Sequence, residues 1–187
     1  DSHATGFIGK SGKGSVEFHN VLDEVDIITS TFGKALGGGS GGFTSASHEI
    51  IDILRQKSRP YLFSNSLAPS VVCASSKAIE ILKESTDLIK KITLNTKYFR
   101  QEIKKLGFEI KSGTHPIVPI MLYDASLAKQ VSQDMLKLGI YVVGFSYPVV
   151  PKKEARIRVQ ISADHSKKHL MQALDAFYQC GKKYGLI

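Results

Sequence analysis

A lysine that follows a short apolar segment carries the strongest chemical signal in this sequence. Residues 25–31 are predicted to form a buried strand, Thr31-Phe32-Gly33-Lys34 follows, and residues 37–42 are all glycine or serine. A lysine at the end of a strand in a cleft loses hydration, which favours its neutral, nucleophilic amine. The glycines allow the backbone to approach a bulky cofactor, and Thr31 offers a hydroxyl to a phosphate. On this motif alone, a nucleophilic Lys34 and an ordinary surface lysine are equally supported.

Two arginines in a predicted strand form a second candidate site. In the segment Ala155-Arg156-Ile157-Arg158-Val159-Gln160, strand alternation places Arg156 and Arg158 on one face. A planar guanidinium suits bidentate capture of a carboxylate. Without further information, two exposed strand arginines are the default interpretation.

Composition and charge exclude several classes of protein. The 187 residues are 42% hydrophobic and 22% charged, typical of a globular chain rather than a disordered one. The net charge is +8, but its lysines are scattered along helix faces without interleaved aromatic residues. We therefore expect a solvated face first, an anionic cofactor second, and no nucleic-acid partner. No apolar run reaches membrane-spanning length. The two cysteines form no disulfide framework, which suits a reducing compartment.

The elements that must position these residues alternate between strands and helices. A second strand is predicted at residues 43–45, a loop at 60–65, and further strands at 108–111, 117–122, 140–143 and 156–161. Helices are predicted at residues 48–57, 69–83, 85–106, 125–138 and 167–183. This alternation predicts an α/β architecture, with one module over residues 1–84 and a second over residues 85–187.

Several motifs together resemble the α-oxoamine synthase family. They are Asp1-Ser2-His3-Ala4-x-Gly6, Gly12-x-Gly14, and the stretch from Thr31 to Gly38. The resemblance covers essentially the whole chain. It implies a pyridoxal-phosphate (PLP) transferase of fold type I that joins an amino acid to an acyl-CoA. It further implies the C-terminal portion of such an enzyme: the end of the large cofactor domain, residues 1–84, and the small C-terminal α/β domain, residues 85–187.

The resemblance assigns roles to residues of the first module. Lys34 is similar to the lysine that forms the Schiff base with the cofactor and then acts as the general base. His3 is similar to the histidine that hydrogen-bonds the phenolic oxygen of PLP, and Thr31 to a phosphate ligand. Ser64 and Asn65 are similar to a pair that reaches the phosphate of the other subunit's cofactor, which implies a homodimer with shared active sites.

The resemblance also selects a substrate ligand and a reaction. Arg158 is similar to the residue that binds the substrate carboxylate, and no metal is implied. The segments 59–67 and 147–152 are similar to family members that condense glycine with acetyl-CoA to 2-amino-3-oxobutyrate and CoA, a reaction of threonine breakdown. The alternatives are a sister synthase that uses another acyl-CoA, and an inactive fragment that acts as a structural module.

One family residue has no counterpart in this chain. The aspartate that pairs with the pyridine nitrogen lies three residues before the histidine, which would place it ahead of residue 1. We therefore expect the chain by itself to form an incomplete site. The family resemblance implies a cytoplasmic protein, or one of the mitochondrial matrix if the source is eukaryotic.

Overall fold

A computed structural model describes residues 1–37 and 39–187, which separate into two compact units, Asp1–Ile89 and Lys90–Ile187. The division lies within a long helix, a few residues beyond the boundary that the sequence predicts between residues 84 and 85. Among the described residues, no helix is both long and apolar enough to cross a membrane.

The first unit combines an antiparallel strand pair with short and medium helices. Strands β1 (Ile28–Thr31) and β2 (Gly42–Ser45) pair so that Thr31 lies opposite Gly42. The helices are α1 (Ser15–Phe18), a 3-10 turn (Leu22–Glu24), α2 (His48–Lys57), α3 (Arg59–Phe63) and α4 (Pro69–Glu84). The predicted helices at 48–57 and 69–83 are thereby confirmed, and Pro69 occupies the first turn of α4, where its missing N–H costs nothing.

The predicted loop at residues 60–65 is wrong in its first part. Pro60 lies in the first turn of α3, a position that proline tolerates, and the helix ends at Phe63. Residues 64 and 65 remain outside it. Residues 1–25 contain α1 and the 3-10 turn after a glycine-rich loop.

The second unit packs helices against a small antiparallel sheet. Its elements are α5 (Asp87–Lys105, which begins in the first unit), β3 (Ile117–Tyr123), α6 (Ala125–Lys137), β4 (Val143–Phe145), β5 (Ala155–Gln160) and α7 (Lys167–Tyr184). The strand order is β3-β5-β4, so β5 is the central strand. Phe99, Ile103, Ile120, Met135 and Phe177 are fully buried in one core cluster.

Two strands of this unit differ from the sequence predictions. Residues 108–111 form no strand, and only Ile110 makes an isolated bridge, to Ile120. The strand predicted at 140–143 begins only at Val143. The reason is the end of α6: Gly139 has a positive φ of 80°, and the Ile140 N–H donates 2.9 Å to the Met135 carbonyl. Ile140 therefore completes the helix cap.

Candidate active site

Lys34 lies in a turn that hydrogen bonds hold at both ends. The hydroxyl of Thr31, the last residue of β1, donates to the Gly41 carbonyl at 2.8 Å and accepts from the Gly33 N–H at 3.2 Å. The Gly37 N–H donates to the Lys34 carbonyl at 3.0 Å. The Lys34 side chain is exposed, and no ion pair of it occurs among the residues that the structure describes. The turn therefore presents an amine without an acidic partner.

Close contacts explain two of the glycines after this turn, one with backbone and one with a side chain. A Cβ at Gly42 would lie 2.3 Å from the Ser30 carbonyl oxygen, and one at Gly41 would lie 2.2 Å from the Leu67 side chain. Beside them, the Phe32 and Phe43 rings stack with centroids 5.3 Å apart. The return strand β2 can thus lie against β1 only because Gly42 lacks a side chain, and the absence of one at Gly41 leaves room for Leu67.

The loop that carries His3 is tied to β1. The Ser30 hydroxyl donates to the Thr5 hydroxyl at 2.7 Å, and the Asp1 nitrogen donates to the Thr29 carbonyl at 2.6 Å. A Cβ at Gly6 would lie 3.3 Å from Leu36, so the same loop also contacts the segment just after Lys34. The structure therefore brings the His3 loop, β1 and the Lys34 turn together. His3 itself is exposed.

Two carboxylates that the sequence analysis did not single out organise the glycine-rich loop. Asp1 accepts from the backbone N–H of Ser15 at 3.1 Å, which fixes residues 1–15 as a closed loop. Glu17 accepts from the N–H and hydroxyl of Ser11 and from the N–H of Lys13, at 2.7 to 3.1 Å. Burial opposes ionisation of Glu17, but these hydrogen bonds outweigh it and the pKa of Glu17 is lowered. The loop therefore binds the Glu17 carboxylate of its own chain. In the sequence, the acidic residue shortly after Ser11-Gly12-Lys13 was the feature from which this contact could have been predicted.

Ser64 and Asn65 lie on an exposed segment after α3. Both are exposed, and so are Tyr61 and Phe63, the latter to 80%. No hydrogen bond or ion pair joins Ser64 or Asn65 to the Lys34 turn within the part of the chain that the structure describes.

Arg158 lies on the central strand of the sheet in the second unit. The alternation predicted from the sequence is confirmed: Ile157 and Val159 are buried, whereas Arg156 and Arg158 share the other face. The two arginines differ, because Arg156 pairs with Glu154 at 3.3 Å whereas Arg158 has no ion pair among the described residues. Its guanidinium lies over the Phe145 ring, 5.7 Å from the centroid. Arg158 is therefore the arginine available to an external carboxylate.

Lys34 and Thr31 of the first unit have the functional groups needed to hold an aldehyde that carries a phosphate. The Lys34 amine is accessible to an aldehyde carbon, and the Thr31 hydroxyl lies three residues before it at the strand end. The Thr31 hydroxyl already donates its single proton to the Gly41 carbonyl. This hydrogen bond must break before Thr31 can donate to a phosphate.

Comparison with known proteins identifies the class. The family model for aminotransferase class I and II matches residues 1–177, and the chain belongs to that family. Over all 187 residues it is 51% identical to "2-amino-3-ketobutyrate coenzyme A ligase, mitochondrial" of Mus musculus, covering 45% of that protein. It is 44% identical to "8-amino-7-oxononanoate synthase" of Thermosipho melanesiensis, covering 48% of it. The chain thus spans about half the length of these curated relatives.

A solved structure supports the fold assignment. The whole chain superposes on 47% of a structure of SPT with PLP, with a TM-score of 0.94 and 29% sequence identity. The fold class predicted from the sequence, an α/β PLP transferase of fold type I, is confirmed.

Proposed function

We propose that this chain forms part of a PLP-dependent acyltransferase that condenses glycine with acetyl-CoA to 2-amino-3-oxobutyrate and CoA. The observation that carries the proposal is the accessible Lys34 amine in a turn fixed by Thr31, Gly33 and Gly41. The mouse relative, whose name states a 2-amino-3-ketobutyrate coenzyme A ligase, supports the choice of substrates. PLP is the proposed cofactor because the similar SPT structure contains it.

Lys34 is proposed to hold the cofactor covalently and to move the substrate proton. When bound, PLP supplies an electron sink for the negative charge that develops at the glycine α-carbon. The Lys34 amine would accept the proton from that carbon, and the hydrogen-bonded turn fixes the backbone that carries this side chain. The His3 loop, tied to β1 through Thr5 and Ser30, would donate a hydrogen bond to the phenolic oxygen of the cofactor.

Arg158 is proposed to bind the carboxylate of glycine. It lies on the central strand, and the Phe145 ring supports one face of the guanidinium. Arg156 contacts Glu154 through one nitrogen at 3.3 Å, whereas Arg158 has no ion pair among the described residues, so Arg158 is the better placed of the two to offer parallel N–H groups to a substrate.

A homodimer with shared active sites is proposed from the exposed segment around α3. Ser64 and Asn65 would reach the cofactor phosphate of the partner subunit. The exposed aromatic side chains of Tyr61 and Phe63, at 64% and 80%, support an interface here because large apolar side chains seldom face water in groups. The cytoplasm or the mitochondrial matrix remains the proposed compartment, and the mouse relative is named mitochondrial.

The sister reaction with another acyl-CoA is the second candidate. The 44% identity to the 8-amino-7-oxononanoate synthase favours it, because both relatives match over the whole chain. A purely structural module is the third, and it predicts no reaction at Lys34.

Reductive trapping tests the role of Lys34. The polypeptide that carries this chain is incubated with PLP, reduced with borohydride, digested and mapped by mass spectrometry. We expect the label on Lys34, its loss in Lys34→Arg, and its retention in Lys10→Arg, a change at another exposed lysine. A label on other lysines only, or no label, would contradict the assignment.

Thiol release distinguishes the substrates. With glycine present, CoA release from acetyl-CoA is compared with release from longer acyl-CoA esters. Turnover with acetyl-CoA supports the main proposal, whereas turnover only with a longer ester supports the sister synthase. Labelling of Lys34 without turnover on any ester would leave the cofactor assignment standing and remove the proposed reaction.

A further inference from the structure

Two arginines lie close together on the face of the sheet that points away from the core of the second unit. Ile157, between them on β5, is fully buried on the core side. The strand register places Arg156 opposite Phe145 and Arg158 opposite Val143 on β4, and cross-strand partners share a face. The Cα atoms of residues two apart on a strand are separated by about 7 Å. One ligand with two carboxylates could therefore contact both guanidinium groups.

Glu154 supplies a counter-charge to only one of these arginines. Its carboxylate contacts the Lys111 Nζ at 2.7 Å and the Arg156 Nη1 at 3.3 Å. Lys111 is itself held beside β3, because its N–H donates to the Pro119 carbonyl at 3.2 Å. The hydrogen bond from Lys111, followed by the charges of Lys111 and Arg156, lowers the pKa of Glu154. The carboxylate beside Arg156 therefore stays ionised at neutral pH.

The charge of Arg158 has no such compensation. No ion pair of Arg158 occurs among residues 1–37 and 39–187, and its guanidinium lies over the Phe145 ring, 5.7 Å from the centroid. The face of an aromatic ring attracts a cation but does not neutralise it. Another acid of this region, Glu109, accepts a hydrogen bond from the uncharged Tyr123 hydroxyl instead. One arginine of the pair is thus compensated locally and the other is not.

We propose that Glu154 is a specificity-determining residue that confines carboxylate binding on this face to Arg158, so that the site selects amino acids with a single carboxylate. The inference rests on the proposed role of Arg158 as the substrate-carboxylate ligand. A second carboxylate placed against Arg156 would meet the negative charge of Glu154 and would have to displace it. Discrimination against dicarboxylic amino acids then comes from repulsion between like charges, in addition to any effect of size.

L-aspartate and L-asparagine form a matched pair of probes, because they have nearly the same shape and differ by one negative charge. Each displaces radiolabelled glycine at equilibrium from the whole PLP-loaded polypeptide that contains this chain, so the measurement requires no turnover. For the unaltered protein, we expect asparagine to displace glycine at lower concentration than aspartate. Displacement by aspartate at the same or a lower concentration would contradict the proposal.

Glu154→Gln removes the negative charge while keeping the shape of the side chain. The affinity for aspartate relative to asparagine should rise about tenfold, the gain expected when a freed Arg156 makes a charge-assisted hydrogen bond. Glu102→Gln is the matched control, because it removes the same charge from α5, where Glu102 pairs with Lys105. No rise in Glu154→Gln, or an equal rise in both variants, would overturn the proposal.

A double variant identifies the cation that Glu154 occupies. Glu154→Gln/Arg156→Gln removes the counter-charge and the arginine together, so the relative affinity for aspartate should return close to that of the unaltered protein. If the gain persisted in the double variant, it would come from another cation, such as Lys111, and the assignment to Arg156 would be wrong.

Arg158→Lys separates this inference from the proposed function. We expect this change to weaken the binding of radiolabelled glycine itself, because the planar pair of N–H groups is lost. If glycine binding is unaffected, the proposed role of Arg158 and the role of Glu154 are both wrong. If glycine binding falls but Glu154→Gln leaves the ratio of aspartate to asparagine affinity unchanged, only the role of Glu154 is wrong.

Discussion

Ser30 and Thr5 join two segments that are distant in the sequence through a hydrogen bond of 2.7 Å between their hydroxyl groups. Ser30 lies in β1, one residue before the strand ends and four before Lys34, and Thr5 lies in the loop that carries His3. The pair is a side-chain connection that couples the position of the loop to that of the strand.

Ser30→Ala should therefore loosen the loop without removing any proposed catalytic group. Because Ser30 is only 8% exposed, we expect a loss of about 1 kcal/mol in the free energy of unfolding, the net value of a typical hydrogen bond. Urea unfolding measures the loss, and reductive PLP labelling of Lys34 should slow. Thr44→Ala, at an exposed position of β2, is the control and should change neither.

Arg158→Lys keeps the charge but loses the planar pair of N–H groups. We expect KM for glycine to rise about tenfold or more, with little change in PLP affinity. Steady-state kinetics and PLP titration separate the two effects. Arg156→Lys is the matched control on the same strand face, and it should have a small effect because that side chain already pairs with Glu154. Equal rises in KM for both variants would contradict the distinction.

Stability of the second unit should fall in mild acid. The His165 Nδ1 accepts a hydrogen bond from the Ser162 N–H at 3.2 Å, which requires an unprotonated nitrogen. Burial, followed by the charge of His169, lowers the pKa of His165 from its ordinary value. The folded state thus binds this proton more weakly than the unfolded state, so the stabilisation is present above a pH of about 6.5 and is lost as the pH falls below it.

Urea unfolding between pH 7.5 and pH 5 checks this dependence. In His165→Asn the amide oxygen can accept the same N–H without titrating, so the pH dependence in that range should weaken. An unaltered pH profile in this variant would show that other groups are responsible.

The carboxylate of Glu17 is predicted to hold the glycine-rich loop closed. Glu17→Ala removes the acceptor of the Ser11 and Lys13 amides, and hydrogen exchange of these amides should accelerate by about tenfold or more, as the loss of charged hydrogen bonds implies. Amide exchange followed by NMR measures the change. Glu24→Ala, a change at an exposed acid in the 3-10 turn, should leave both amides as they were.

The sequence predicts the long periodic helices and the arginine strand well, because their patterns repeat over several turns or alternations. Leu170, Leu174 and Phe177, which recur at helical spacing, are buried on α7. Leu88 is an exception: it fits the apolar stripe of α5, yet it is 55% exposed. Periodicity identifies a face of a helix but does not show whether another element covers its end.

Short helices and strands, and the ion pairs of individual side chains, depend on contacts that cannot be read from the local sequence pattern. Whether Ile140 continues a helix cap or starts a strand is decided by the Met135 carbonyl, and α3 forms over a segment whose Pro60 suggests a loop. In the candidate site, too, some features could be predicted from the sequence and others could not. The positions of Lys34 and Arg158 follow from the motifs, whereas the difference between Arg156 and Arg158 depends on Glu154, two residues before Arg156.

The glycines after Lys34 do not form one uniform hinge. Gly37 and Gly39 have positive φ angles of 68° and 84° but nothing within 4 Å of a Cβ, so asparagine, which tolerates that backbone region, is an acceptable replacement at each. At Gly42 the backbone of Ser30 leaves no room for any side chain. A saturation library across this run should therefore yield two separate tolerance profiles, one governed by backbone conformation and one by the strand that lies alongside.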